Sequence, residues 1–163
     1  MSRSDAYMSD AADRVMIADL VARYVWALDY GTAEEWAGVF TPNGILQGSI
    51  EGMPRIVGKQ RLIEFSGDLR RTVSHLHHVT TSLLIKLDGD RATGKSQLNE
   101  FMSRPEAIYP CFHGWYEDAY EYVEGRWLIS SRTVHMPHPE NTQVGKIGEY
   151  FTEFWKVCEN YRD

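Results

Sequence analysis

The chain has 163 residues, enough for one ordinary domain with a single core and too few for a two-domain enzyme. Hydrophobic residues at 43% and charged residues at 25% exclude disordered, collagen-like and coiled-coil classes. Lys and Arg total 17 against 23 Asp and Glu, a formal charge of −6, so no basic field recruits nucleic acid or anionic lipid. Cys111 and Cys158 lack CxxC or Cys/His spacing and read as ordinary thiols rather than a disulfide framework or a zinc site. The leading MSRSDAYMSD has no apolar signal core, and no stretch approaches the ~18 apolar residues of a membrane span, so a cytoplasmic protein is expected. Aromatic residues reach 12%, more than packing alone needs, which points to an aromatic-lined pocket.

The chain reads as one domain over 1–163, with 1–9 a polar tail. Ile17, Leu20, Val21, Tyr24 and Leu28 fall on one face of a 3.6-residue helix that Ser9 or Asp10 caps and a left-handed Gly31 ends. Thr32 to Glu35 is a capping box opening a short helix through Trp36, Val39 and Phe40, closed by Thr41 to Gly44. A strand near Ile45 to Gln47 and a loop from Glu51 to Val57 lead to a helix from Gly58 to about Leu69. Four long segments rich in Val, Ile, Thr and aromatics follow: Leu76 to Leu87, Ala92 to Met102, Cys111 to Val123 and Trp127 to Met136. Tight turns at Asp88-Gly89-Asp90 and Glu124-Gly125-Arg126 make them antiparallel hairpins. A last amphipathic helix spans 146–161. Helices first and a curved antiparallel sheet afterwards predict an α+β cone with an apolar mouth.

Few polar groups fall where the pattern predicts burial. Asp29 sits at the negative end of the first helix, which raises its affinity for a proton, although an Asp near a turn also serves simply as a cap. Strict alternation along Leu76 to Leu87 puts His77 with Val79, Thr81, Leu83 and Ile85 on the apolar side and turns His78 away. A histidine on a pocket's inner face moves protons when a carboxylate orients its other nitrogen, so His77 and Asp29 form the candidate dyad; a satisfied core histidine is the plainer alternative. Tyr24, about one and a half turns before Asp29, can polarise a substrate oxygen or merely pack. Arg132 on the last strand is either an inward guanidinium needing a carboxylate or oxyanion, or a rim arginine. The cluster His75, His77 and His78 lacks a matching carboxylate or thiolate spacing for a metal, and His113, His135 and His138 are assigned no role.

The runs RYVWALDYGTAEEWAGVFTPNG, GKQRLIEF, LHHVTTSLLIKLDGDRATG and GWYEDAYEYVEGRWLISSR resemble the SnoaL-like branch of the NTF2-like superfamily, over about Val15 to Val134. Its enzymatic members include scytalone dehydratase, bile-acid 7α-dehydratase and a dehydrochlorinase. The resemblance rests on an Asp at the end of the first helix and a His 48 positions later, matched by Asp29 and His77, with Tyr24 and Arg132 matching a further tyrosine and arginine.

The resemblance implies an NTF2-like α+β cone and a cofactor-independent lyase. Such an enzyme would eliminate water or a small fragment such as formaldehyde from a bulky aromatic or polycyclic hydroxylated molecule. His77 would take the proton, Asp29 would orient it, and Tyr24 or Arg132 would assist the leaving group. Trp26, Tyr30, Phe112 and Tyr116 are the expected apolar walls. Gln97 or Asn99 would occupy the place of a second histidine, and Asn99 is taken as the pocket residue. The expected partners are a hydrophobic small molecule and further copies of the chain, as a homodimer or homotrimer, with neither metal nor organic cofactor. An isomerase moving a proton beside a carbonyl, and a non-catalytic ligand-binding or dioxygenase small-subunit-like module, are the alternatives.

Overall fold

The computed structural model describes residues 3–49, 52–73, 75–137 and 147–162. In chain order the elements are α1 (Arg3–Tyr30), α2 (Ala33–Ala37), β1 (Phe40–Gly48), β2 (Ile56–Val57), α3 (Lys59–Thr72), β3 (Leu76–Asp88), β4 (Arg91–Arg104), β5 (Ala107–Val123), β6 (Arg126–His135) and α4 (Ile147–Glu159). The six strands form one curved, unclosed sheet in the order β2-β1-β6-β5-β4-β3, with the helices packed against it. This is the expected α+β cone. One feature of the expected sheet is corrected: β1 runs parallel to β6, so the sheet is mixed rather than wholly antiparallel. Strand direction between segments so far apart in the chain is set by the crossover, and a local alternation pattern carries no trace of it.

Helix α1 reaches back to Arg3, so Ser9 and Asp10 lie within it rather than capping it, and most of the expected polar tail is helical. Its stripe packs as expected, with Ile17, Leu20, Val21, Tyr24 and Leu28 all buried. Gly31 ends the helix by close approach rather than by a left-handed backbone, because a Cβ there would come 2.9 Å from Ala27 Cα. The Arg70 guanidinium of α3 caps that end, donating to the carbonyls of Ala27, Gly31 and Thr32, of which Ala27 and Thr32 also accept the main-chain N–H of Gly31 and Trp36. The Thr32 capping box forms in full, with Glu35 N–H donating to Thr32 Oγ1 at 3.1 Å and Thr32 N–H to Glu35 Oε2 at 2.7 Å. Chain continuity through α2 into β1 then begins the strand at Phe40, earlier than the sequence pattern suggests.

Strand β3 does not alternate uniformly. Its pairing with β4 shifts between Thr81 and Leu84, where Ser82 takes the positive φ of 55°. This bulge inserts one residue and reverses which parity faces the helices. Leu76, His78 and Thr80 face inward before it, and Leu83, Ile85 and Leu87 after it, while Val79 and Leu84 are exposed. The inward face of β4 is the even set, in which Ala92, Ser96, Leu98, Glu100 and Met102 are all buried. The two faces of these strands decide which side chains reach the interior.

Candidate active site

The interior of the cone holds an apolar cavity of about 50 Å³, walled among others by Leu28, Trp36, Leu46, Met53, Phe65, Phe112, Tyr116 and Phe154. Among the described residues that line it, His78 and Glu100 are the only ionisable side chains other than tyrosines. Tyr24, Phe112 and Tyr116 lie on its wall, where the sequence places them.

Asp29, on the last turn of α1, meets the start of β3. Its Oδ1 lies 2.6 Å from His78 Nδ1, and its Oδ2 accepts the His78 main-chain N–H at 2.8 Å. Both side chains are buried, at 3% and 6% exposure. The other ring nitrogen, Nε2, lies 3.4 Å from Glu100 Oε1, whose side chain is 8% exposed. His78 therefore sits between two carboxylates. Burial alone would push its pKa down, but the Glu100 charge and the hydrogen bonds to Asp29 and Glu100 outweigh it and hold the imidazole up at about 9. His78 is a buried cation at neutral pH, with Nδ1 and Nε2 each directed at a carboxylate.

The expected dyad is thus corrected by one residue: His78, not His77, pairs with Asp29. His77 points outward, where its Nδ1 shares a 2.8 Å hydrogen bond with the Tyr30 hydroxyl. The cause is the Ser82 bulge, which makes the alternation counted back from Ile85 and Leu83 wrong by one position. His77 and His75 instead line an outer cleft of about 340 Å³ together with Asp29 and Arg70. The Asp29–His78 pair is the partition between that cleft and the inner cavity.

Three other expected pocket residues lie elsewhere. Trp26 and Tyr30 are 67% and 62% exposed, two positions off the buried stripe of α1, and their rings pack on one another at 5.2 Å. Asn99 belongs to the odd, outer face of β4, where its Oδ1 lies 3.1 Å from His113 Nδ1. Its inner-face neighbour Glu100 holds the position beside the histidine. The signal for Glu100 was present in the small and apolar residues at 92, 94, 96, 98 and 102, which mark the even set as inward and leave a carboxylate among them.

Arg132 points inward, but its guanidinium is held by Asp118 and two tyrosine rings and is not among the residues lining the cavity, while its buried Nη1 has no hydrogen-bond partner among the described residues. Nε and Nη2 donate to Asp118 Oδ1 and Oδ2 at 2.8 and 2.7 Å, and both side chains are completely buried. The guanidinium lies between the rings of Tyr24 and Tyr116, 3.9 and 4.0 Å from their centroids. Tyr120 donates a further 2.7 Å hydrogen bond to Asp118. This arrangement makes Arg132 a support for the tyrosine wall, correcting its expected role at the leaving group. Burial raises the Tyr24 hydroxyl's pKa although the Arg132 charge opposes it, and burial raises that of Tyr116 further, so both are neutral phenols.

His135 stacks on Trp115 on the outer face, and His138 lies outside the described residues. Among the described residues no three His, Cys, Asp or Glu side chains group as metal ligands. Both cysteines are free and buried, and no described helix is long and apolar enough to cross a membrane.

Comparison with known proteins agrees with this architecture. Residues 9–133 match the SnoaL-like domain, and the chain belongs to that family. Among solved structures it is similar to Rv3472 of Mycobacterium tuberculosis, a protein of unknown function, at 25% identity and TM-score 0.84 over 99% of this chain and 95% of that one. It is also similar to an NTF2-like protein with a cystatin-like fold from Novosphingobium aromaticivorans, at 18% identity and TM-score 0.76 over 82% and 87% of the two chains. A third likeness, at 21% identity and TM-score 0.67 over 79% and 91%, is to the beta subunit of a proposed aromatic-ring-hydroxylating dioxygenase from the same organism. No curated protein matches the chain.

Proposed function

We propose that this protein is a lyase that eliminates water, or a small fragment such as formaldehyde, from a hydroxylated aromatic or polycyclic molecule held in the cone. The observation that carries this reading is a histidine held as a cation by two carboxylates on the wall of an otherwise apolar cavity. Burying three ionisable groups there costs stability that apolar side chains of the same volume would not, and such arrangements concentrate where protons are moved. His78 supplies a proton to the departing oxygen, Asp29 fixes its ring, and the neutral Tyr24 and Tyr116 offer polar contacts on an aromatic wall.

The likeness to a dioxygenase beta subunit favours a second reading, a ligand-binding or assembly module. One experiment separates the two: incubation with a panel of hydroxylated aromatic and polycyclic compounds, in the presence of EDTA, followed by mass spectrometry. The lyase reading expects at least one compound to lose water or formaldehyde with the wild type and to remain intact with His78→Ala. A panel that is bound but unchanged supports the module, and activity that needs an added divalent metal contradicts a cofactor-independent centre. We further infer a homodimer or homotrimer, since Val79 and Leu84 of β3 are exposed; light scattering that returns 18.8 kDa at all concentrations contradicts it.

A further inference from the structure

Elimination needs a proton acceptor as well as a donor, and the cavity wall offers few. Asp29 is behind His78 and has both oxygens engaged by it, at 2.6 and 2.8 Å. Asp118 is sealed by Arg132 and Tyr120. His78 has each ring nitrogen directed at a carboxylate and no lone pair to offer while it is a cation. Glu100 is different: among the described residues it is the one carboxylate that lines the cavity itself, beside the His78 ring.

We propose that Glu100 is the catalytic base, taking a proton from substrate carbon, while His78 serves as the fixed acid beside it. This rests on the lyase reading and completes it. In the reaction, Glu100 Oε takes the proton from carbon, the C–H electron pair becomes the new double bond, and the C–O bond breaks with its electrons going to oxygen. His78 protonates that oxygen and water leaves. The site then holds a protonated Glu100 and a neutral His78, and one proton transfer across their 3.4 Å separation restores both. Acid and base lie side by side on the cavity wall, 3.4 Å apart, which favours breaking both bonds on one face of a substrate. The centre sets two carboxylates against one imidazole, an arrangement that favours neutral substrates over carboxylates.

The claim can be tested without the natural substrate. 5-Nitrobenzisoxazole is a neutral aromatic whose ring C–H is removed by a buried base, with formation of the nitrile, cleavage of the N–O bond and release of a coloured phenolate. It is offered to the wild type and to Phe154→Ala, which opens the cavity wall. Both should turn it over, Glu100→Gln should lose about 100-fold in each background, and Glu100→Asp should recover part of the rate. Circular dichroism and thermal unfolding confirm that the variants are folded. The proposal is overturned if Glu100→Gln keeps the wild-type rate while His78→Ala loses it, or if neither background accelerates the reaction beyond acetate at equal concentration. Because this probe needs no water-elimination chemistry, Glu100 can prove to be the base even where the hydroxylated panel fails, and the reverse outcome is equally distinct.

Discussion

Asp29 holds His78 by two atoms of the same residue, the ring Nδ1 on one carboxylate oxygen and the main-chain N–H on the other. The first contact orients the ring and, with the Glu100 charge, keeps it protonated, and the second ties the last turn of α1 to the first residues of β3. Asp29→Asn leaves the shape and removes the charge, and His78→Ala removes the proton donor. Each should lower kcat/KM for an active compound by roughly 10²–10⁴, and the double variant should be little worse than either, because the pair acts as one unit. His77→Ala, at an outward residue, should keep near-wild-type turnover. Additive losses at Asp29 and His78, or a large loss at His77, would contradict the assignment.

The pH dependence has a definite sign. The folded His78 takes its proton up to about pH 9, against 6.5 in an unfolded chain. Its stabilising contribution is therefore complete below pH 6.5 and is lost as the pH rises through 9, by up to about 3 kcal/mol. Urea unfolding across pH 6 to 10 should show that decline, and elimination should fall over the same alkaline limb as the acid is titrated. Stability that rises between pH 7 and 9 is the contrary result.

Arg132 and Asp118 form a completely buried pair, so removing either alone leaves a buried charge without its countercharge. Arg132→Met or Asp118→Leu should each destabilise the fold by about 3–5 kcal/mol in urea unfolding. The double substitution should recover most of that loss, since apolar replacement of a whole buried pair is often neutral. A double variant as unstable as the sum of the singles would show the pair to be more than mutual neutralisation.

The cavity of about 50 Å³ has room for about two waters at ~30 Å³ each, well short of an aromatic ring system. A ring-sized substrate must displace the movable parts of the wall, and Met53 and Phe154 are the unbranched thioether and the α4 aromatic that line it. Phe154→Ala should lower KM for the bulkier members of an active series more than for the smaller ones, leaving the Asp29–His78 geometry intact. An equal effect on all members would place Phe154 outside the substrate's path.

Most of the architecture is legible in local pattern. The α1 stripe, the Thr32 capping box and the Gly89 and Gly125 turns follow from spacing and side-chain chemistry, and the structure has them all. Asp29 and the tyrosine wall follow from position on the helix and the inner face of β5. The histidine was missed by one because a bulge leaves no compositional mark: Ser82 is an ordinary residue in a Thr-Thr-Ser run, and its positive φ is imposed by the pairing with β4. Trp26 and Tyr30 were placed inside on aromaticity, although their helical positions already turn them away from Leu28 and Tyr24. The partnership of Arg132 with Asp118 depends on which residues face each other across β5 and β6, which is a matter of register rather than of sequence separation.

The proposed centre requires His78 to be a buried cation between Asp29 and Glu100, and nitrogen-15 NMR of the imidazole rings measures that state directly, without a substrate. The His78 ring should carry protons on both nitrogens at pH 7.5 and titrate near 9, and Asp29→Asn should move that midpoint down. A His78 ring that is neutral at pH 7.5, or whose titration is indifferent to Asp29, would contradict it.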